Sequence, residues 1–67
     1  MKISARNFLE GTVKDVHKGA AHVEIELKGG GIVTSSITNE AVAELGVKQG
    51  THAYAVIKSS DVMIAVK

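Results

Sequence analysis

Ala21-His22-Val23-Glu24-Ile25-Glu26-Leu27-Lys28 alternates apolar and polar residues without a break. A period of two puts one set of side chains on each side of an extended chain, so this stretch reads as a strand with one buried face. The same period runs outward in both directions. Phe8 to His17 is strand-like, but its apolar set slips from Leu9, Gly11 and Val13 to Val16. Such a slip marks a β-bulge or a strong bend. Lys18-Gly19 reads as a tight hairpin turn between the two strands. Gly29-Gly30-Gly31 ends the second strand and opens a third, Ile32 to Ile37. The contiguous glycines and the lack of a following helix exclude a dinucleotide-binding GxGxxG motif.

The period then changes. Asn39 to Leu45 reads as a helix, with Thr38 or Asn39 as N-cap, Glu40 in the first turn and Gly46 at the C′ position. Ala41, Val42 and Leu45 fall on the face expected to pack. A helix this short needs a sheet to lie on. Lys48-Gln49-Gly50 is a turn. Strands follow at Thr51 to Lys58 and Val62 to Val66, joined by Ser59-Ser60-Asp61. The order β-β-β-α-β-β predicts an all-β fold with one short helix: an OB-like five-stranded, partly open Greek-key barrel. An SH3-like barrel is the alternative, but it usually lacks a helix at that point.

With 67 residues, the chain is expected to form a single domain over residues 1–67. A domain of this size buries only roughly 60% of the surface its unfolded chain exposes. There is no Cys, hence no disulfide and no thiolate metal site. His17, His22 and His52 form no recognised metal motif. Oligomerisation is the remaining way to stabilise so small a core, and a composition that is 45% hydrophobic fits it. Eight Lys and Arg against seven acidic residues leave a net charge of +1. That balance provides no broad basic field for nucleic acid or an acidic membrane. No apolar run approaches the ~20 residues that span a bilayer, and the N-terminus lacks the apolar stretch of a signal peptide. A cytoplasmic location is expected.

The chemistry is concentrated near the two ends. Ser4-Ala5-Arg6-Asn7 and Lys58-Ser59-Ser60-Asp61 each put a cation beside hydroxyls and backbone N–H groups. A desolvated oxyanion needs that mixture of positive charge and multiple donors. Read singly, the first is also an ordinary solvated N-terminus, and the second an ordinary polar turn. His22, Glu24 and Glu26 share one strand face. Two carboxylates and an imidazole can hold a divalent cation, although such alternation is also what any half-buried strand shows. No nucleophile elbow, Cys nucleophile or catalytic His motif is present, so no enzyme activity is expected. An OB barrel commonly binds single-stranded nucleic acid by stacking bases on aromatic residues over a basic groove. Phe8 and Tyr54 are the only aromatic residues apart from the histidines.

Together the segments Ile3-Ser4-Ala5-Arg6-Asn7-x-Leu9-x-Gly11 and Ala55-Val56-Ile57-Lys58-Ser59-Ser60-Asp61-Val62-Met63 resemble the molbindins, the Mop-type molybdate- and tungstate-binding proteins with a TOBE-like domain. Ser35-Ser36-Ile37-Thr38 and the short helix extend the resemblance over the whole chain. It implies an OB-like fold assembled as a hexamer, a trimer of dimers, with molybdate or tungstate at subunit interfaces. The oxyanion-binding residues it implies are Ser4, Arg6, Lys58 and Ser59, with Ala5 and Ser60 lending further donors. His17, Lys18, Gly19, Ser35 and Ser36 are candidates for a second class of anion site. Phe8 stands where many members carry Gln, a departure expected to affect packing more than binding.

The expected function is intracellular storage and buffering of molybdenum, bound only as its oxyanion, with no organic cofactor, no membrane partner and no nucleic acid. Half-sites from different chains would surround the tetrahedral dianion, and Arg6 and Lys58 would balance its charge. The alternatives are an OB-type module for a pterin cofactor or single-stranded nucleic acid, and a small metalloenzyme using His22, Glu24 and Glu26.

Overall fold

The structure, a computed structural model, describes residues 4–17, 19 and 22–67. Strand β1 spans Asn7–His17, β2 His22–Leu27, β3 Ile32–Ser36 and β4 His52–Ile57. Helix α1, Asn39–Leu45, lies between β3 and β4, and a 3-10 turn at Ser59–Asp61 follows β4. The four strands form one antiparallel sheet in the order β3-β2-β1-β4. Three consecutive strands and a fourth that returns beside the first make a Greek key. The sheet curls into a partly open barrel, in keeping with the OB-like class expected.

Strand β1 is the hinge of this arrangement, because its two halves pair with different neighbours. Asn7 to Thr12 lie against β4, and Gly11 to His17 lie against β2. The expected bulge is present: Val13 pairs with Ile25 but Asp15 with Glu24, leaving Lys14 as the extra residue. Asp15 Oδ1 accepts the Val16 N–H at 2.9 Å, which braces the bend. Gly11 sits at the overlap of the two pairings and is buried. A Cβ there would run into the Glu26 carbonyl oxygen and lie 2.8 Å from Ile25 Cγ2. Only glycine lets β1 and β2 approach this closely.

The inner face of the sheet carries the core. Val13, Val23, Ile25, Val42 and Ala55 are buried, with Val16, Leu27, Val33, Ile37, Val47 and Ala53 packed around them. Helix α1 forms over the residues expected. Thr38 Oγ1 accepts the Ala41 N–H at 3.0 Å as N-cap, and Gly46, at φ +64°, turns the chain at the C-terminal end. The Gly46 N–H donates to the Ala43 carbonyl and the Val47 N–H to the Val42 carbonyl. These two bonds make a Schellman motif, which satisfies the last carbonyls of the helix. One expectation fails here. Leu45 is 69% exposed rather than packed, since Val47, swung back by the Schellman turn, contacts the core instead.

Two further differences concern loop and tail. His17 pairs with His22, so the β1–β2 connection is longer than a two-residue turn; Gly19 has the positive φ expected, while Lys18 and Ala21 lie outside the described residues. The segment Val62 to Val66, expected as a fifth strand, joins no strand among the described residues.

Candidate oxyanion site

The two segments that carry the candidate residues flank one end of the β1–β4 pair. Asn7 is the last residue of β1 in register with β4, opposite Ile57, and its side-chain Nδ2 donates to the Ile57 carbonyl at 3.1 Å. Arg6 immediately precedes that pair and Lys58 immediately follows it. Residues separated by the whole length of the barrel are thereby brought onto neighbouring strand ends of one chain. In one copy the pairing of β1 with β4 therefore sets the two segments next to each other in the fold.

The surroundings suit an anion. Ser4, Arg6, Lys58, Ser59 and Ser60 are exposed, and Ala5 is half-buried. Among the described residues neither Arg6 nor Lys58 forms an ion pair. Lys58 is the N-cap of the 3-10 turn. Ser59 and Ser60 open that turn, where N–H groups have no partner within the turn itself. Two uncompensated cations, three hydroxyls and free backbone donors therefore share one end of the sheet. In a single copy this cluster is open to solvent. Charge-assisted bonds to an anion gain strength only when water is excluded.

The proposed second-site residues are differently placed. His17 closes β1, with its Nε2 at 3.3 Å from Asp15 Oδ2 and 3.5 Å from Glu24 Oε2. Two carboxylates against His17 oppose an oxyanion there. Ser35 is half-buried on β3 opposite Val23, Ser36 is exposed opposite His22, and Gly19 lies in the β1–β2 loop. Lys18 lies outside the described residues. His22, Glu24 and Glu26 do not converge, and among the described residues no three His, Asp or Glu side chains are placed to hold a metal ion.

A second cluster escaped the sequence reading. His52 Nε2 lies 2.6 Å from Glu10 Oε2, Lys28 Nζ lies 3.5 Å from Glu10 Oε1, and the Tyr54 ring meets His52 edge-on at 5.2 Å. The hydrogen bond from His52, aided by the Lys28 charge, holds the Glu10 carboxyl below its ordinary range. Residues 42 positions apart in sequence give no local signal of such a contact. A cleft of about 700 Å³ lies beside α1, lined by Val42, Ala43 and Val47 with Asn39 and Lys48. It offers few donors to an oxyanion.

Comparison with known proteins is consistent with this geometry. The TOBE domain profile matches residues 3–64. The chain belongs to the TOBE domain family. This TOBE chain is 54% identical over 66 residues to molybdenum-pterin-binding protein 3 of Clostridium pasteurianum, covering 96% of this chain and 97% of that one. The solved structure of MopII from Clostridium pasteurianum superposes with a TM-score of 0.87 at 48% identity, covering 97% of this chain and 100% of that chain. The cytoplasmic molybdate-binding protein ModG, solved with molybdate bound, gives a TM-score of 0.87 at 52% identity, covering 94% of this chain and 46% of ModG. Among the described residues, no helix is long and apolar enough to cross a membrane.

Proposed function

We infer that this TOBE chain binds molybdate or tungstate as the intact oxyanion and serves to store and buffer it inside the cell, without catalysing a reaction. The observation that supports this reading is the Asn7–Ile57 pairing, whose neighbours in sequence are Arg6 and Lys58, neither in an ion pair among the described residues. Two positive charges match a tetrahedral dianion. Ser4, Ser59, Ser60 and the backbone at Ala5 supply the donors that replace its water. The relatives named for molybdenum binding, and ModG with molybdate bound, support the choice of anion.

The open cluster needs a cover before it can bind tightly. A second copy is the natural one, so the site belongs at a subunit interface of a homo-oligomer, a hexamer built as a trimer of dimers. Closure by assembly excludes water, and cavity size then separates molybdate and tungstate from the smaller sulfate. Isothermal calorimetry with molybdate, tungstate, sulfate and phosphate tests the reading. Micromolar or tighter binding of the first two with weak response to the others is expected. No heat with molybdate or tungstate rejects it.

The names of the curated relatives also couple molybdenum to a pterin. A pterin is a flat heteroaromatic ring that calls for an aromatic or apolar slot. Phe8 and Tyr54 both lie on the outer sheet face, away from Arg6 and Lys58 in the case of Tyr54, so the oxyanion is favoured. A fluorescence titration with a free pterin separates the two ligands.

A further inference from the structure

We propose that Asn7 is a positioning residue of the oxyanion site: its side-chain amide locks the mouth of the β1–β4 pair and thereby sets Arg6 and the Lys58–Ser60 segment in place. The proposal rests on the oxyanion reading and adds a residue that acts through its neighbours. It starts from a residue type that breaks the strand pattern. Before the bulge, Asn7 shares its side of β1 with Leu9, Gly11 and Val13, of which Gly11 and Val13 are buried. An apolar residue is expected at that end of the core face, and Asn is among the residues that strands disfavour. A local rule broken in this way calls for a compensating gain. The gain here is one bond. Asn7 Nδ2 donates to the Ile57 carbonyl at 3.1 Å, in a part-buried setting and across 50 positions of sequence.

The place of that bond gives it a consequence. Asn7 opposite Ile57 is the last rung of the β1–β4 register. One step outside it lie Arg6 on one strand and Lys58 on the other. Like charges at a ladder end work to part the strands, and chain ends fray most readily. Beyond Ile57 the chain leaves β4 at once. The Asp61 N–H donates to the Lys58 carbonyl at 2.9 Å and the Val62 N–H to the Ser59 carbonyl at 3.3 Å, so Lys58, Ser59 and Ser60 move with the 3-10 turn as a unit. Among the described residues, the bond from Asn7 to Ile57 is the side-chain hydrogen bond that ties this unit to the start of β1. A dianion is held most tightly by donors already in place, because every group ordered on binding subtracts from affinity. The clamp acts the same way whether the cations of one site come from one copy or from two, since each copy orders both of its own segments.

Asn7→Val separates placement from stability. Valine removes the donor, favours strand geometry and is apolar like the rest of the core face, so the urea midpoint is expected to hold or rise. The Kd for molybdate by calorimetry is nevertheless expected to rise by about three- to tenfold, the worth of one hydrogen bond. Asn7→Leu, close to Asn in size, is expected to lose affinity in the same way, and Asn7→Gln, which keeps the amide, to recover part of the loss. In the Lys58→Ala background the effect of Asn7→Val is expected to shrink, because the cation placed beside the clamp on β4 is gone. Three results overturn the proposal: Asn7→Val binding molybdate within about twofold of the parent, a loss just as large in the Lys58→Ala background, or a loss that comes only with a lower urea midpoint or a lower sedimenting mass. No heat from the unmodified protein with molybdate is a different result, since it rejects the oxyanion reading itself and the proposal with it.

Discussion

Near its middle the β1–β4 pair carries Glu10 against His52, with Lys28 approaching from beyond β2; at its open end the same pair carries Arg6 and Lys58. Both are clusters of charge on one ladder, and they differ in whether that charge already has a partner. The Glu10 carboxylate already has a hydrogen-bond partner and a neighbouring cation, so an arriving ion would have to displace them. Arg6 and Lys58 have no such internal partner among the described residues. The comparison teaches that local charge density is a poor guide to a binding site. What matters is charge the fold has left uncompensated.

The comparison breaks if the two clusters respond alike to mutation. Arg6→Ala or Lys58→Ala should each lower molybdate affinity by about 2–5 kcal/mol, the cost of removing one partner of a desolvated charge pair. That corresponds to roughly a thirty-fold to several-thousand-fold rise in Kd by calorimetry. Glu10→Gln should leave the affinity within about twofold, since it is not part of the open-end cluster. If both cations of a site come from one chain, reassembling Arg6→Ala with Lys58→Ala chains should recover little tight binding. Substantial recovery would assign the two cations to different copies.

Gly11 follows Glu10 on β1, where the strand changes partners. Gly11→Ala should destabilise the fold by about 1–3 kcal/mol in urea denaturation, because the added methyl meets the Glu26 backbone, which cannot swing aside. If affinity for molybdate falls along with stability, the bend of β1 also sets the anion site. If it does not, the two functions of the strand are separable.

The smallest effect is the titration of Glu10. Its carboxyl is held below the ordinary range by His52 first and Lys28 second. A lowered acid favours the folded state above its unfolded pKa, and that contribution fades as pH falls through the folded value. The side chain is solvent-accessible, so the change in thermal midpoint should be slight. An NMR titration of the Glu10 carboxyl should show the lowered midpoint, and His52→Ala should move it back up. A midpoint indifferent to His52 would mean the contact does not persist in solution.

Much of this molecule is legible from local pattern. The strands, the bulge after Val13, the Thr38 cap and the Asn39–Leu45 helix all follow from hydrophobic period and capping residues, which act over a few positions. Leu45 was misread because its packing depends on how the chain leaves the helix at Gly46 and Val47. The Glu10–His52 contact was missed for a related reason: it exists only once the β1–β4 register is set. The sequence alone also pointed to the cations and hydroxyls near each end as chemistry suited to an oxyanion. Tertiary structure decided that Arg6 and Lys58 flank the same β1–β4 pair. It decided too that Val62–Val66, strand-like in its alternation, pairs with no strand among the described residues. Period reports which face of a segment seeks burial. The identity of the partner is set by sheet order and curvature, which arise from contacts between residues far apart in the chain.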